Sequence, residues 1–336
     1  MEEREANKII STIITHDGAF HLDDVLACFM LKKIYPHANI VRTRNEDIIK
    51  TGDIVVDVGG VFDPANFKYD HHQRGFNQTY NDNYDIKMSS AGLVYKYHGM
   101  QFIKALGLDV HPDFDYLLLL GLLYETYFVS VDANDNGVDI SDDVRYNERT
   151  LDNVIRSFVP FDIPEGESIE YGDKVRYEAF EKAMEYIGSD LVRHCKYLMH
   201  QINKDKMPIL QSFNQMKDPR SRYIIMGSGA YPAKELIQYY NTSLNRNVSI
   251  IIYKIRSREG TIYKLLCIPK KGIRYTPEIP LCEEWRGLRN EQMRRFPKLK
   301  KASFVHATGF CGSAMDLETA EYMAQKSIEE YLKKTV

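Results

Sequence analysis

The chain has 336 residues, 44% of them hydrophobic and 27% charged, with a formal net charge of −3. That composition excludes a largely disordered chain, and the length suffices for two domains with cores of their own. Balanced charge excludes a global attraction to polyanions, so any nucleic-acid surface must be a local patch.

Ile9–Thr15 (IISTIIT) is short and β-branched and predicts a buried strand. Val25, Leu26, Phe29 and Met30 have helical spacing and predict a helix over Asp23–Tyr35. Asn39–Arg44 and Asp53–Gly59 predict further strands, and Ser89–Leu106 and Tyr116–Val129 predict helices. Such alternation favours a parallel sheet covered by helices. Ser157–Glu167 carries two prolines, a glycine and three acids and reads as a linker, followed by a long helical period at Ile169–Ile202. Beyond it, Tyr223–Met226, Val248–Ile255, Thr261–Ile268 and Ser303–His306 read as strands, and Ala233–Leu244 and Leu317–Lys333 as helices. The expected architecture is α/β: a parallel-sheet metal-binding catalytic domain over 1–160, a helical linker region over 161–205, and a smaller α+β substrate-binding domain over 206–336.

The five cysteines, Cys28, Cys195, Cys267, Cys282 and Cys311, are scattered and lack CxxC spacing. They argue against a zinc ribbon or a disulfide framework and for a reducing compartment. MEEREANKII has neither the apolar stretch of a secretory signal nor the composition of a transit peptide. The longest apolar run, Leu117–Leu123, is too short to span a bilayer. An intracellular location, cytoplasmic or nuclear, is expected.

Five of the ten histidines fall within the first 72 residues. His16 and Asp17 follow the first predicted strand, with His21, Asp23 and Asp24 one loop later. Asp57 is the lone charge in IVVDVGG, Asp70-His71-His72 follows the third strand, and Asp132 and Asp135 lie in VDANDNG. Ligands of open α/β sheets bind at the carboxyl ends of the strands, so these residues are expected to converge. Mixed His/Asp ligands without cysteine suit Mn²⁺, Fe²⁺ or Zn²⁺ better than Mg²⁺. Their number exceeds the need of one ion and fits two, with Asp57 as the bridge. Taken singly, the residues have blander readings: Asp23 as a helix N-cap, His21 as a satisfied polar residue, VDANDNG as an Asx-rich turn. Their recurrence at four successive strand ends favours a shared site.

His16-Asp17-Gly18, Phe20-His21-Leu22-Asp23-Asp24, DIVVDVGGVFDP, YDHHQRGF, SSAGLVY and VDANDNG, with the later WRGLRNE and FVHATGFCG, resemble the DHH phosphoesterase superfamily. Within it they resemble the Myg1 family of exonucleases (melanocyte proliferating gene), over almost the whole chain. The superfamily includes RecJ-type nucleases, oligoribonucleases and manganese-dependent pyrophosphatases, two-domain enzymes with two-metal sites. The resemblance implies His16, His21, Asp23, Asp57, His71 and Asp132 as metal ligands, with two Mn²⁺ expected and Mg²⁺ or other divalent ions as alternatives. It implies that His72 meets the scissile phosphate and that Asp70 orients a histidine; in a phosphodiesterase, Arg74 is expected to steady the charge of the transition state. In the second domain it implies Arg286, Arg289, His306, Thr308, Gly309 and Gly312 as substrate contacts, beside the basic run Arg286–Lys301.

The expected activity is a two-metal phosphodiesterase acting 3′ to 5′ on single-stranded RNA. Two alternatives stand beside it: hydrolysis of pyrophosphate, short oligonucleotides or cyclic dinucleotides, and metal-stabilised RNA binding without turnover. The expected partner is RNA or an oligonucleotide, with no membrane. The oligomeric state is left open, a homodimer among the options.

Overall fold

The computed structural model describes residues 9–108, 114–138, 149–216, 218–227, 234–257, 260–270 and 276–335. It is a mixed α/β structure of two compact units, Met1–Leu198 and Met199–Val336.

The first unit holds β1 (Thr12–Thr15), α1 (Leu22–Ile34), β2 (Asn39–Arg42), the short α2 (Glu46–Ile49), β3 (Ile54–Val56), β4 (Phe62–Asp63) and β5 (Lys68–Tyr69). Its sheet runs β2-β1-β3-β5-β4. β2, β1, β3 and β5 pair in parallel, and β4 pairs antiparallel with β5 at the edge. The sheet is therefore mixed where a wholly parallel one was expected. The cause is local: Pro64–Asn66 forms a single 3₁₀ turn closed by Phe67 at φ 55°, which folds residues 62–69 back on themselves. α1 is buried along most of its length and packs on α3 (Ser90–Ala105). Gly188 lets another helix approach this layer, because a Cβ there would lie 2.1 Å from the Phe29 ring.

Tyr116–Asp135 is continuous helix: α4 (Tyr116–Leu123), a π-helical turn at Tyr124–Phe128, and α5 (Val129–Asp135). VDANDNG thus begins on a helix rather than following a strand. By length and composition alone this segment could cross a membrane, but just over half of its apolar stretch is buried within the protein. Its buried side includes a carboxylate, Asp132, whose partners are all protein groups, as in a core helix. After α6 (Leu151–Arg156), α7 runs from Ile169 to Asn214, well beyond the expected end, with Pro208 inside it. Phe180 of α7 meets Phe20 edge to face at 5.6 Å.

The second unit holds β6 (Tyr223–Met226), α8 (Lys234–Ser243), β7 (Ile250–Ser257), β8 (Gly260–Cys267), α9 (Glu291–Arg294), β9 (Ala302–Val305), β10 (Cys311–Ala314) and α10 (Leu317–Thr335). The sheet order is β6-β7-β8-β10-β9, with β6 and β7 parallel and the other pairs antiparallel. β10, of sequence CGSA, was not expected. Small residues carry little strand propensity, and this strand exists because β8 and β9 supply partners on both sides. Ile250, Ile252, Leu265 and Val305 pack with Trp285 and with Met323 of α10. The five cysteines are all free.

Candidate metal centre

His16 sits at the carboxyl end of β1 and is 2% exposed. Its Nδ1 lies 2.9 Å from the Asp17 carbonyl oxygen, which can only accept, so Nδ1 carries the proton. In the neutral ring this leaves the Nε2 lone pair facing Asp24 Oδ2 at 3.4 Å and Asp57 Oδ2 at 3.3 Å. That is the arrangement of a metal-binding histidine fixed by its other nitrogen.

Asp57 directly follows β3 and lies in the left-handed region, at φ 56°, a conformation costly for a non-glycine residue. Its two oxygens face different neighbours. Oδ2 looks at His16, while Oδ1 lies 3.6 Å from His71 Nε2, 3.5 Å from His72 Nδ1 and 3.1 Å from Ser90 Oγ. The histidines outweigh the burial that would raise the Asp57 pKa and hold the carboxyl below its usual range.

Asp70 accepts the Gly60 N–H at Oδ2 (2.6 Å) and, at Oδ1, both the His72 N–H (3.1 Å) and His72 Nδ1 (2.8 Å). Gly59 and Gly60, at φ 92° and 66°, provide the backbone turn that brings that N–H to the carboxylate. With Nδ1 committed to Asp70, His72 keeps Nε2 for other partners, and its side chain is 64% exposed. The Asp70 bond raises the His72 pKa, against burial and with help from Asp57.

Among the described residues, three groups place ligand atoms within 4.8 Å of one another: His16, Asp24 and Asp57; Asp57, His71 and His72; and Asp23, His71 and Asp135. His71 Nε2 is 3.0 Å from Asp135 Oδ2. Burial would lower the His71 pKa, but Asp135 and Asp57 raise it to about 10. Burial, with Asp57 and Asp135 nearby, pushes the Asp23 carboxyl well above its ordinary range, and burial brings Asp24 up to about 7.

The chemistry of this donor set fits divalent cations. Both oxygens of Asp23 are buried and make no hydrogen bond, while Asp24 Oδ2 and Asp135 Oδ2 face only histidine nitrogens, His16 Nε2 at 3.4 Å and His71 Nε2 at 3.0 Å. Buried carboxylates left without partners are strongly disfavoured, and positive charge among them removes the penalty.

Of the expected ligands, His16, Asp23, Asp57 and His71 are thus brought together. His21 stands beside them, its ring 5.7 Å from that of His16, but it is outside the three groups. Burial and His16 lower its pKa. The structure does not bring Asp132 into any of the groups. Its Oδ1 accepts Ser89 N–H (2.9 Å) and Ser89 Oγ–H (2.7 Å), and its Oδ2 accepts the Tyr124 hydroxyl (2.7 Å). Gly92 is required there, since a Cβ would lie 2.2 Å from Asp132 Oδ1. Asp24 and Asp135 were not singled out as ligands by sequence reasoning. The signal for each was present: both lie within three residues of an expected ligand, on the same helix.

A cavity of about 360 Å³ opens onto this centre, lined by His16, His21, Arg44, Asp57, Asp70, His72 and the turn Val58-Gly59-Gly60. Arg74 is exposed and does not line it, whereas Arg44 does.

In the second unit the expected contacts divide. Arg289 is exposed, its guanidinium 5.7 Å from the Phe304 ring centre, and Lys264 Nζ lies 5.2 Å from the same ring. His306 and Thr308 are exposed in a turn where the Thr308 N–H donates to His306 Nδ1 at 3.2 Å. Arg286 spends Nε on the Leu281 carbonyl at 2.9 Å. Gly309 and Gly312 are packing positions: a Cβ would lie 2.8 Å from Arg286 Nε at the first and 2.9 Å from Leu281 Cδ1 at the second.

A family described as "Uncharacterised protein family (UPF0160)", MYG1_exonuc, matches residues 12–328. A MYG1 protein of Caenorhabditis elegans is 33% identical over 334 residues, covering 95% of each chain. A protein named MYG1 exonuclease in Homo sapiens is 30% identical over 98% of this chain and 89% of its own. A MYG1 protein of Saccharomyces cerevisiae is 30% identical over 96% and 97%.

Proposed function

This chain belongs to the MYG1 family, and on that footing we propose that it is an exonuclease: a two-metal phosphodiesterase of DHH type that removes nucleotides from the 3′ end of single-stranded RNA. Mammalian relatives carry the name exonuclease. The observation that carries the two-metal reading is Asp57, whose oxygens face separate histidine groups. His16, Asp24 and Asp57 would hold one ion. Asp57, His71, Asp23 and Asp135 would hold the other, with His21 adjacent. Bound divalent ions, Mn²⁺ by the donor set, supply Lewis acidity toward phosphoryl oxygen and a nucleophile near neutral pH.

The remaining roles belong to the protein. Asp70 holds His72 so that Nε2 hydrogen-bonds a phosphate oxygen or protonates the departing one. Ser90 steadies Asp57 through its hydroxyl. Arg289, His306 and Thr308 are exposed polar residues on the second unit, suited to contacting nucleic-acid phosphates.

End-labelled RNA with Mn²⁺ tests this reading. The wild type should produce a ladder, and Asp57→Ala should lose both metal and turnover. His72→Ala should keep metal and lose about 100-fold in turnover. Equal ladders from wild type and Asp57→Ala would sink the proposal. Turnover confined to pyrophosphate or cyclic dinucleotides would move the substrate class and leave the centre intact.

A further inference from the structure

We infer that Arg44 binds the phosphate that flanks the scissile one, making the enzyme selective for chains that carry a second phosphate. The inference rests on the phosphodiesterase reading and concerns a residue which that reading leaves without a role.

The cavity has a floor and a rim. His16, Asp57 and Asp70 are at most 4% exposed and form the floor, where the reacting phosphate belongs. The Arg44 side chain is 63% exposed and lines the same cavity, so it stands at the rim. A phosphodiester chain entering there places its next phosphate outward from the floor, toward Arg44.

The guanidinium is held by one edge. Nε lies 3.3 Å from Asp17 Oδ1, and the Arg44 N–H donates to Asp17 Oδ2 at 3.3 Å. Asp17 directly follows the ligand His16, so the clamp is tied to the metal loop. The preceding Thr43 N–H bonds the Thr15 carbonyl at 2.8 Å, and Thr43 Oγ1 accepts the Asn45 N–H at 3.1 Å, giving the arginine a fixed base. The ion pair with Asp17 is made at Nε and leaves the two terminal nitrogens as a fork, the geometry with which arginine grips phosphate oxygens. An exposed ion pair of this kind contributes little by itself, so Asp17 serves to aim the fork.

The test uses two dinucleotides, one with a 5′-terminal phosphate (pNpN) and one without (NpN), on the Mn²⁺-loaded full chain. Each has one internal phosphodiester, and the extra phosphate of pNpN flanks it on the 5′ side, the side that the proposed 3′-to-5′ digestion leaves on the chain. The wild type should show a KM about tenfold lower for pNpN, as a charge-assisted fork provides. Arg44→Gln should raise the pNpN KM to that of NpN, with metal content and melting temperature retained. Arg44→Lys should restore part of the difference. Equal KM values in the wild type, an equal rise for both substrates in Arg44→Gln, or loss of metal from that variant would overturn the assignment. If neither dinucleotide nor RNA is cleaved, the phosphodiesterase reading falls separately. Equilibrium binding then decides: pNpN must bind about tenfold more tightly than NpN, with the difference absent in Arg44→Gln, and equal binding overturns the role.

Discussion

Two acids three residues apart, Asp132 and Asp135, show how chemistry is assigned one residue at a time. Both lie on α5, yet Asp132 is spent on Ser89 and Tyr124 while Asp135 faces His71. Burial raises the Asp132 pKa to about 7, so the hydroxyl and amide donors around it are what keep it compatible with the core. Asp132→Ala should therefore cost about 2–3 kcal/mol, the penalty of stranding buried donors, with metal affinity largely kept. Asp135→Asn should leave stability nearly unchanged and lower metal affinity at least about tenfold. Denaturant unfolding and Mn²⁺ titration of both variants check the split, and the reverse pattern would return Asp132 to the ligand set. Asp23 and Asp24 make the same point. They are consecutive on α1, and one faces His71 and Asp135 while the other faces His16 and Asp57. Sequence could mark the motif, but not which oxygen points where.

Elements were legible where their patterns were periodic or terminated clearly. β1, α1, α3, β6 and α10 fall close to expectation because alternation, helical spacing and end signals agree there. β10 and the helical start of VDANDNG were missed because tertiary partners override weak local preference. The start of α10 shows a local signal that the structure uses. Asp316 Oδ1 accepts the Thr319 N–H at 2.9 Å, and Oδ2 lies 2.6 Å from Lys301 Nζ. Burial would raise the Asp316 pKa, but Lys301 and Thr319 lower it. A carboxyl depressed by folding stabilises the protein above its unfolded pKa and loses that contribution as pH falls through its folded pKa. Asp316→Ala should thus cost about 1 kcal/mol at neutral pH. The gap to wild type should close as the pH is lowered through the carboxylate range. A gap independent of pH in urea titrations would remove the charge from the explanation.

At the scale of the whole molecule, the first unit places Asp23, Asp24, Asp57 and Asp135, all poorly exposed, in one small volume. Their mutual repulsion disfavours the folded state unless positive charge lies among them, so the proposed two-metal reading links metal binding to folding. Chelator should lower the melting temperature, and Mn²⁺ should raise it with concentration, by about 2.7 kcal/mol of stability at 100 times Kd. The shift should shrink sharply in Asp57→Ala, and calorimetry showing the same shift in both proteins would place the ions elsewhere. Composition, charge, the α/β pattern and the DHH motif with its neighbours were determined by the sequence itself, because burial pattern and residue chemistry are local properties. Which carboxylates meet which histidines, that Asp132 closes a core network, and that Arg44 rather than Arg74 lines the cavity were decided by tertiary structure alone. Those outcomes rest on contacts between residues far apart in the chain, such as Asp57 with His16 and His71 and Gly92 with Asp132, which no local pattern encodes.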